Sequence, residues 1–271
     1  MTDKAVTPPT RTTAMNEEPI DVTNAAPLGH AEAMALLEVE LDRTLEMLRT
    51  LDAADWSAQT ACADWDVHHM YLHVLGACDA AASMRENAHQ MRLARRHRAR
   101  NGGPLEAGLS NVQVREREEL SPDELFERLT AVAPRTVQKR TSMPAPMRRM
   151  KMKIDGPVVE KWSLGYLIDT IYLRDLWMHR VDAAQATGHE IVLTAEHDGR
   201  IVADVVAEWA RRHGQPFHLT LSGPAGGTYT SRGTPASDAA GEVCEYDAVD
   251  FCRILAGRAE ATGLLTTIVP F

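Results

Sequence analysis

Along the first two-thirds of the chain, apolar positions recur every three or four residues, the spacing of helices that bury one face. In residues 30–51 the period is carried by Leu36, Leu37, Val39, Leu41, Leu45, Leu48 and Leu51. A polar loop over 52–65, holding Trp56 and Trp65, interrupts it. Asp64 or Asp66 can then cap a second helix by accepting the free amide hydrogens of its first turn. That helix is expected over 67–100, amphipathic at its start and basic at its end, and the Asn-Gly-Gly-Pro run at 101–104 stops it. Ser121, Pro122 and Glu124 are start signals for a third helix reaching about 141. A basic connector containing Pro and Met, 142–157, leads to a fourth helix over about 160–187, which Gly188 terminates.

Beyond Gly188 the pattern changes. A helix near 196–213 precedes three short β-rich runs, 217–223, 227–233 and 242–248, separated by Gly, Pro and Ser as in a small antiparallel sheet. A closing helix covers 247–258. The predicted fold class is α + α/β: an N-terminal four-helix bundle over 29–188, then a small α/β domain over 189–271 with a short antiparallel sheet. Residues 1–28, rich in Thr, Pro, Asn and Asp and without periodicity, read as a flexible N-terminal tail.

Composition narrows the function classes. The 271 residues are 44% hydrophobic and 25% charged, as in ordinary globular proteins. A net charge of −9 argues against a general nucleic-acid binder. No run approaches the roughly 18 apolar residues of a membrane helix, and the N-terminus has no apolar signal core. Cys62, Cys78, Cys244 and Cys252 lack any Cys-x-x-Cys spacing, so free thiols in a reducing cytoplasm are expected.

The chemistry concentrates on two helices. On an ideal helix Ile168, Tyr172, Asp175, His179 and Asp182 share an arc of roughly 80°, so ionisable groups stand on a face that should pack inward. Such groups need partners there. On the second helix His69 and His73 lie four apart, with Gly76 and Ala80 on the same arc, which predicts open volume above the imidazoles. Acids and histidines projecting from facing helices are how a bundle builds a metal centre, and zinc takes three such ligands while keeping one position open. Other arrangements fit the same spacing. An inward histidine can be hydrogen-bonded in a core, Asp175 can pair with Arg174 or Arg180 if the helix is rotated, and Asp182 can pair with Arg180. His68 is expected to face solvent.

Three segments carry a resemblance. Residues 55–76, DWSAQTACADWDVHHMYLHVLG, resemble the entry segment of the mycothiol-dependent maleylpyruvate isomerase family, in which Trp, Thr, often Cys, and a second Trp lead into a helix with a histidine shortly before a Gly. Residues 166–188, YLIDTIYLRDLWMHRVDAAQATG, resemble the same family's later helix, and FCRILAGR at 251–258 resembles its closing helix. This family belongs to the DinB-like (DinB/YfiT-like) four-helix metalloenzymes, and its second domain is an α/β module. The resemblance implies that His73, Asp175 and His179 bind a divalent metal, expected to be zinc, with Asp175 where the family usually has Glu. His69 corresponds to no family ligand and reads as structural or as supporting the centre.

The implied activity is that of a mycothiol-utilising isomerase or S-transferase acting on a small electrophilic substrate, carboxylated or not, through a metal-bound thiolate. Arg253 and Arg180 are the expected catalytic cations, with Arg174 and Arg258 as further candidates, because guanidinium pairs carboxylate bidentately. Partners are then a small thiol and an electrophile, with neither membrane nor nucleic acid; a monomer and a homodimer are both compatible. Two other classes fit: a non-catalytic metal-binding or regulatory protein, whose basic runs at 95–100 and 148–153 could meet an acidic partner or nucleic acid, and a zinc-hydroxide hydrolase.

Overall fold

The computed structural model describes residues 18–22, 25–156, 159–232 and 241–271. Strand β1 (Ile20–Asp21) precedes α1 (His30–Leu48), and the single turn α2 (Ala53–Trp56) leads to α3 (Val67–Ala82). Then come α4 (Met84–Asn101), α5 (Leu105–Arg115), α6 (Pro122–Thr141) and the short α7 (Ala145–Arg148). A hairpin, β2 (Lys151–Ile154) and β3 (Glu160–Ser163), runs into the turn α8 (Leu164–Tyr166), a π turn over Leu167–Ile171, and α9 (Tyr172–Thr187). A second π turn (Ala195–Gly199) opens α10 (Arg200–His213), followed by β4 (Pro216–Ser222), β5 (Gly227–Arg232), β6 (Glu242–Asp247) and α11 (Ala248–Leu255).

Helices α1, α3, α6 and α9 form the bundle, around a core that includes Leu37, Leu41, Met70, Leu75, Leu125, Leu129 and Trp177. The start of α6 follows its sequence signal: Glu124 N–H donates to Ser121 Oγ at 3.3 Å and Ser121 N–H to Glu124 Oε2 at 2.9 Å. Gly188 ends α9 at φ +73°, a left-handed conformation that costs glycine little.

The structure departs from the sequence expectation in several places. The second helix is two helices: Ser83 breaks it with extended backbone (φ −140°, ψ 115°), and its hydroxyl accepts the Glu86 amide hydrogen to start α4. Residues 105–115 add α5, which lies against α4 and α3. The connector 142–157 contains α7 and β2, and the fourth helix starts at Leu164 because Glu160–Ser163 pairs with Lys151–Ile154 as an antiparallel hairpin. The stretch 1–28, expected to be a flexible tail, includes a strand: Ile20–Asp21 pairs with Tyr229–Thr230, and Val22 and Leu28 are buried. Residues 1–17 of that stretch lie outside the described residues.

The second sheet has the order β1-β5-β4-β6. Strands β4 and β5 pair antiparallel, as expected, while β6 joins β4 and β1 joins β5 in parallel. Phe217, Leu219 and Leu221 alternate inward along β4 and meet Trp209 of α10 and Phe251 of α11 in the same continuous core that fills the bundle. Charge is buried along the seam between α9 and α10. Arg174 donates to Asp204 Oδ2 at 2.6 Å and to Glu208 Oε2 at 2.8 Å. No described helix is long and apolar enough to cross a membrane.

Candidate metal centre

The ionisable face of α9 meets α3. His179 Nε2 lies 3.3 Å from one oxygen of Asp175, and His73 Nε2 lies 3.8 Å from the other. The two imidazoles stand edge to face, with centroids 5.6 Å apart. One ligand atom from each of the three residues falls within 4.8 Å of the others. The spacing of four on α9 stacks Asp175 and His179 on one face, and α3 supplies His73 from across the bundle.

The environment favours, for Asp175 and His179, the protonation states a cation needs. Burial pushes the His179 imidazole down, against the pull of Asp175, and so favours the neutral ring. Burial opposes the charge on Asp175, but His179, His73 and Arg258 together outweigh it and hold the carboxyl well below the usual carboxylate range. Exposure falls from 31% for the Asp175 side chain to 14% for His73 and 4% for His179, so the acid faces the opening. Neither ring nitrogen of His179, nor His73 Nδ1, has a hydrogen-bond partner among the described residues. Unpartnered buried nitrogens are costly in a purely structural cluster. Two imidazoles and a carboxylate are the donor set of an open zinc-type site, so the residues present fit a divalent metal.

Around the triad, Trp65 lies over His73, with ring centroids 5.1 Å apart and planes tilted 30°. The loop carrying Trp65 is fastened by Thr60, whose hydroxyl donates to the Trp65 carbonyl at 2.6 Å, and by the Gln59 amide, which donates to the same carbonyl at 2.9 Å. Cys62 sits in this loop, and burial pushes its thiol up. His69 turns away and bonds the N-cap acid, with Nδ1 2.6 Å from Asp66 Oδ1. His68 packs edge-on against Trp56. Gly76 borders no open volume: a Cβ there would lie 2.6 Å from Gln113 Cβ, so the missing side chain lets α5 seat on α3.

The expected arginines divide. Arg180 lies in a buried cluster, donating to Glu40 Oε1 at 2.6 Å, Glu40 Oε2 at 3.0 Å and Asp198 Oδ1 at 2.7 Å, and none of these partners belongs to the triad. Glu40, His197 and Asp198 form a second compact acid–histidine group, but Arg180 and Arg43 already neutralise it. Arg174 faces Asp204 and Glu208, so neither neighbour of the triad on α9 pairs with Asp175. Among the described residues Arg253 has one acid within 4.0 Å, Asp250 at 3.8 Å on its own helix. Arg258 bears with its charge on both Asp175 and His179, and Arg140 lines a small cavity together with Asp175. The Arg258 Nε donates to Asp182 at 3.0 Å, and Asp182, three residues beyond His179, is fully buried. Nothing in the local pattern distinguishes Arg258 from Arg253; the distinguishing signal is the buried acid at 182, which calls for a distant cation.

Two solved structures share this architecture, the mycothiol-dependent maleylpyruvate isomerase and a histidine-to-alanine mutant of it. Each aligns at a TM-score of 0.54 and 17% identity over 88% of this chain and 92% of the other, a likeness of fold. No curated protein matches. The family model described as the mycothiol maleylpyruvate isomerase N-terminal domain matches residues 37–184, more than half the chain and all three residues of the triad, and the protein therefore belongs to the mycothiol maleylpyruvate isomerase family.

Proposed function

We propose that this protein is a metal-dependent, mycothiol-utilising enzyme of the cytoplasm that isomerises a small unsaturated, carboxylated electrophile. The observation carrying the reading is the convergence of His73, Asp175 and His179 from two helices, with three imidazole nitrogens that make no hydrogen bond among the described residues. Family membership supports the thiol and the reaction class. S-transfer to an electrophile is the alternative outcome of the same thiol chemistry.

A divalent ion held there, zinc by its donor set, would supply the positive charge that lets a thiol lose its proton at neutral pH. The chain's own residues do the rest. Asp175 stays ionised and His179 neutral, so both are ready as ligands without first exchanging a proton. Trp65 stacks on His73 and covers one face of that ring. We assign Arg258 to a substrate carboxylate, supported by its field at the triad and by the anchoring of its Nε on Asp182. Addition of the thiolate to a carbon–carbon double bond leaves a single bond free to rotate, and expulsion of the thiolate restores the double bond in the other geometry. Rotation carries one end of the substrate from the same side of that bond to the opposite side, so the enzyme must hold one carboxylate and leave the other end free to swing to a second position. We assign Arg180 a structural role; Arg253, with one distant acid, stays a candidate for the second carboxylate.

The test is isomerisation of a cis-unsaturated diacid by the purified protein with mycothiol, before and after chelation. Turnover that needs both thiol and metal is expected. Equal rates with and without chelator would reject the metal's role, and ester or amide cleavage without thiol would mark a hydrolase.

A further inference from the structure

A sizeable cavity lies away from the triad. It encloses about 580 Å³ and shares no lining residue with His73, Asp175 or His179. That volume is in the range of small-ligand sites, roughly 300–1,000 Å³. Its walls are α7, the start of β2, the turn α8 and the π turn at the head of α9.

Its charge is unbalanced. Three cations line it, Arg148, Arg149 and Lys151, against one acid, Asp169. That acid is already engaged: His30 Nδ1 lies 2.7 Å from one oxygen and the Arg148 guanidinium 3.7 Å from the other. Arg149 and Lys151 have no acidic partner within 4.0 Å among the described residues. Two neighbouring cations in a concavity repel each other, and the low-dielectric walls focus their field on whatever enters. This surplus occurs in a chain whose net charge is −9.

The walls are also fixed in place. A Cβ on Gly165 would lie 3.1 Å from the Arg148 carbonyl oxygen, so α7 rests directly on α8. Arg148 Nε donates to the Met143 carbonyl at 3.3 Å, which orients the guanidinium. The π turn over Leu167–Ile171 carries both Asp169 and Thr170 of the lining, and such turns are frequent at functional sites.

We propose that this cavity is a second ligand site, for a small organic dianion bound by Arg149 and Lys151 with Arg148 behind them. Two uncompensated positive charges match two negative ones. A phosphomonoester and a dicarboxylate share the oxyanion geometry that guanidinium and ammonium groups recognise. The assignment is independent of the metal centre.

Calorimetric titration of the full chain at low, constant ionic strength tests it, with glycerol 3-phosphate and succinate as separate probes and acetate as the monoanion control. One of the dianions should bind at least about tenfold more tightly than acetate, and which one does so identifies the headgroup. Arg149→Glu and Lys151→Glu should each weaken it about tenfold or more, while His73→Ala leaves it unchanged. Arg95→Glu, an exposed arginine on α4, controls for general electrostatics. Failure of both dianions to exceed acetate would overturn the proposal. So would an equal loss in Arg95→Glu, or loss in His73→Ala with retention in the cavity variants, which would put the ligand at the triad.

Discussion

Removing Arg180 separates a structural arginine from a catalytic one. Its side chain is 3% exposed and those of Glu40 and Asp198 are fully buried, so Arg180→Ala leaves two desolvated carboxylates short of a cation. Breaking a buried pair in this way costs about 3–5 kcal/mol. The lower end applies, because both acids keep partners. Glu40 Oε2 remains 2.7 Å from His197 Nε2, and Asp198 retains Arg43, the Trp177 indole N–H at 3.0 Å and the Thr194 amide at 2.7 Å. At about 2–4 °C per kcal/mol for a chain of this size, a loss of about 3 kcal/mol lowers Tm by about 6–12 °C. Thermal unfolding followed by circular dichroism at fixed protein and metal concentration measures it. Metal content and turnover below the transition should stay near wild type, since no partner of Arg180 belongs to the triad. A variant that keeps its Tm and its metal yet loses turnover would refute the structural assignment and return Arg180 to the substrate.

Three further outcomes follow from the packing and the charges. Gly76→Ala forces a Cβ to within 2.6 Å of Gln113 Cβ, and an overpacking cost of about 1–3 kcal/mol should appear as a lower urea midpoint; an unchanged midpoint would mean that α5 moves freely on α3. His213 packs on Trp209 at 4.3 Å, its Nδ1 accepts the Gln215 amide hydrogen, and burial pushes its pKa down to about 4. The neutral ring's contribution to stability is full above the unfolded value of about 6.5 and is lost as pH falls toward 4, because only the unfolded chain then takes up the proton; His213→Phe should flatten stability across that window, and an unaltered slope would contradict the assignment. Cys62→Ser should keep both metal and turnover within a few-fold, since burial raises the thiol and Cys62 is outside the ligand group; loss of metal would make it a ligand.

How far the sequence discloses this molecule depends on how local each cause is. The bundle helices were legible because each buries a long apolar stripe, and α6 because its cap residues are adjacent in sequence. The break at Ser83 had a local signal that the continuous periodicity masked: Ser83 with Glu86 three residues on is a helix-start pattern. Helix α5 and the β2–β3 hairpin offered little, being short and sparsely apolar, and both depend on tertiary contacts. The parallel pairing of β6 with β4 could not be read, since alternation marks a strand but not its direction.

At the site the same division holds. The four-residue spacing of Asp175 and His179 fixes their common face, and His73 was legible as an inward histidine on a second helix. The partners of the arginines were not. Arg180 and Arg258 each owe their position to an acid far away in sequence, Glu40 in one case and Asp182 in the other. Gly76 shows the limit most plainly: a small residue beside a histidine is compatible with an opening or with a close contact, and only the position of α5 decides.

The account rests on a cation shared by α3 and α9, and metal stoichiometry tests it most directly. Protein reconstituted with zinc and freed of excess ion by gel filtration, then measured by mass spectrometry, should hold about one ion per chain. His73→Ala, Asp175→Ala and His179→Ala, each checked for folding by circular dichroism, should hold almost none. A metal-free wild-type chain, or a folded variant that retains the full complement, would contradict the account.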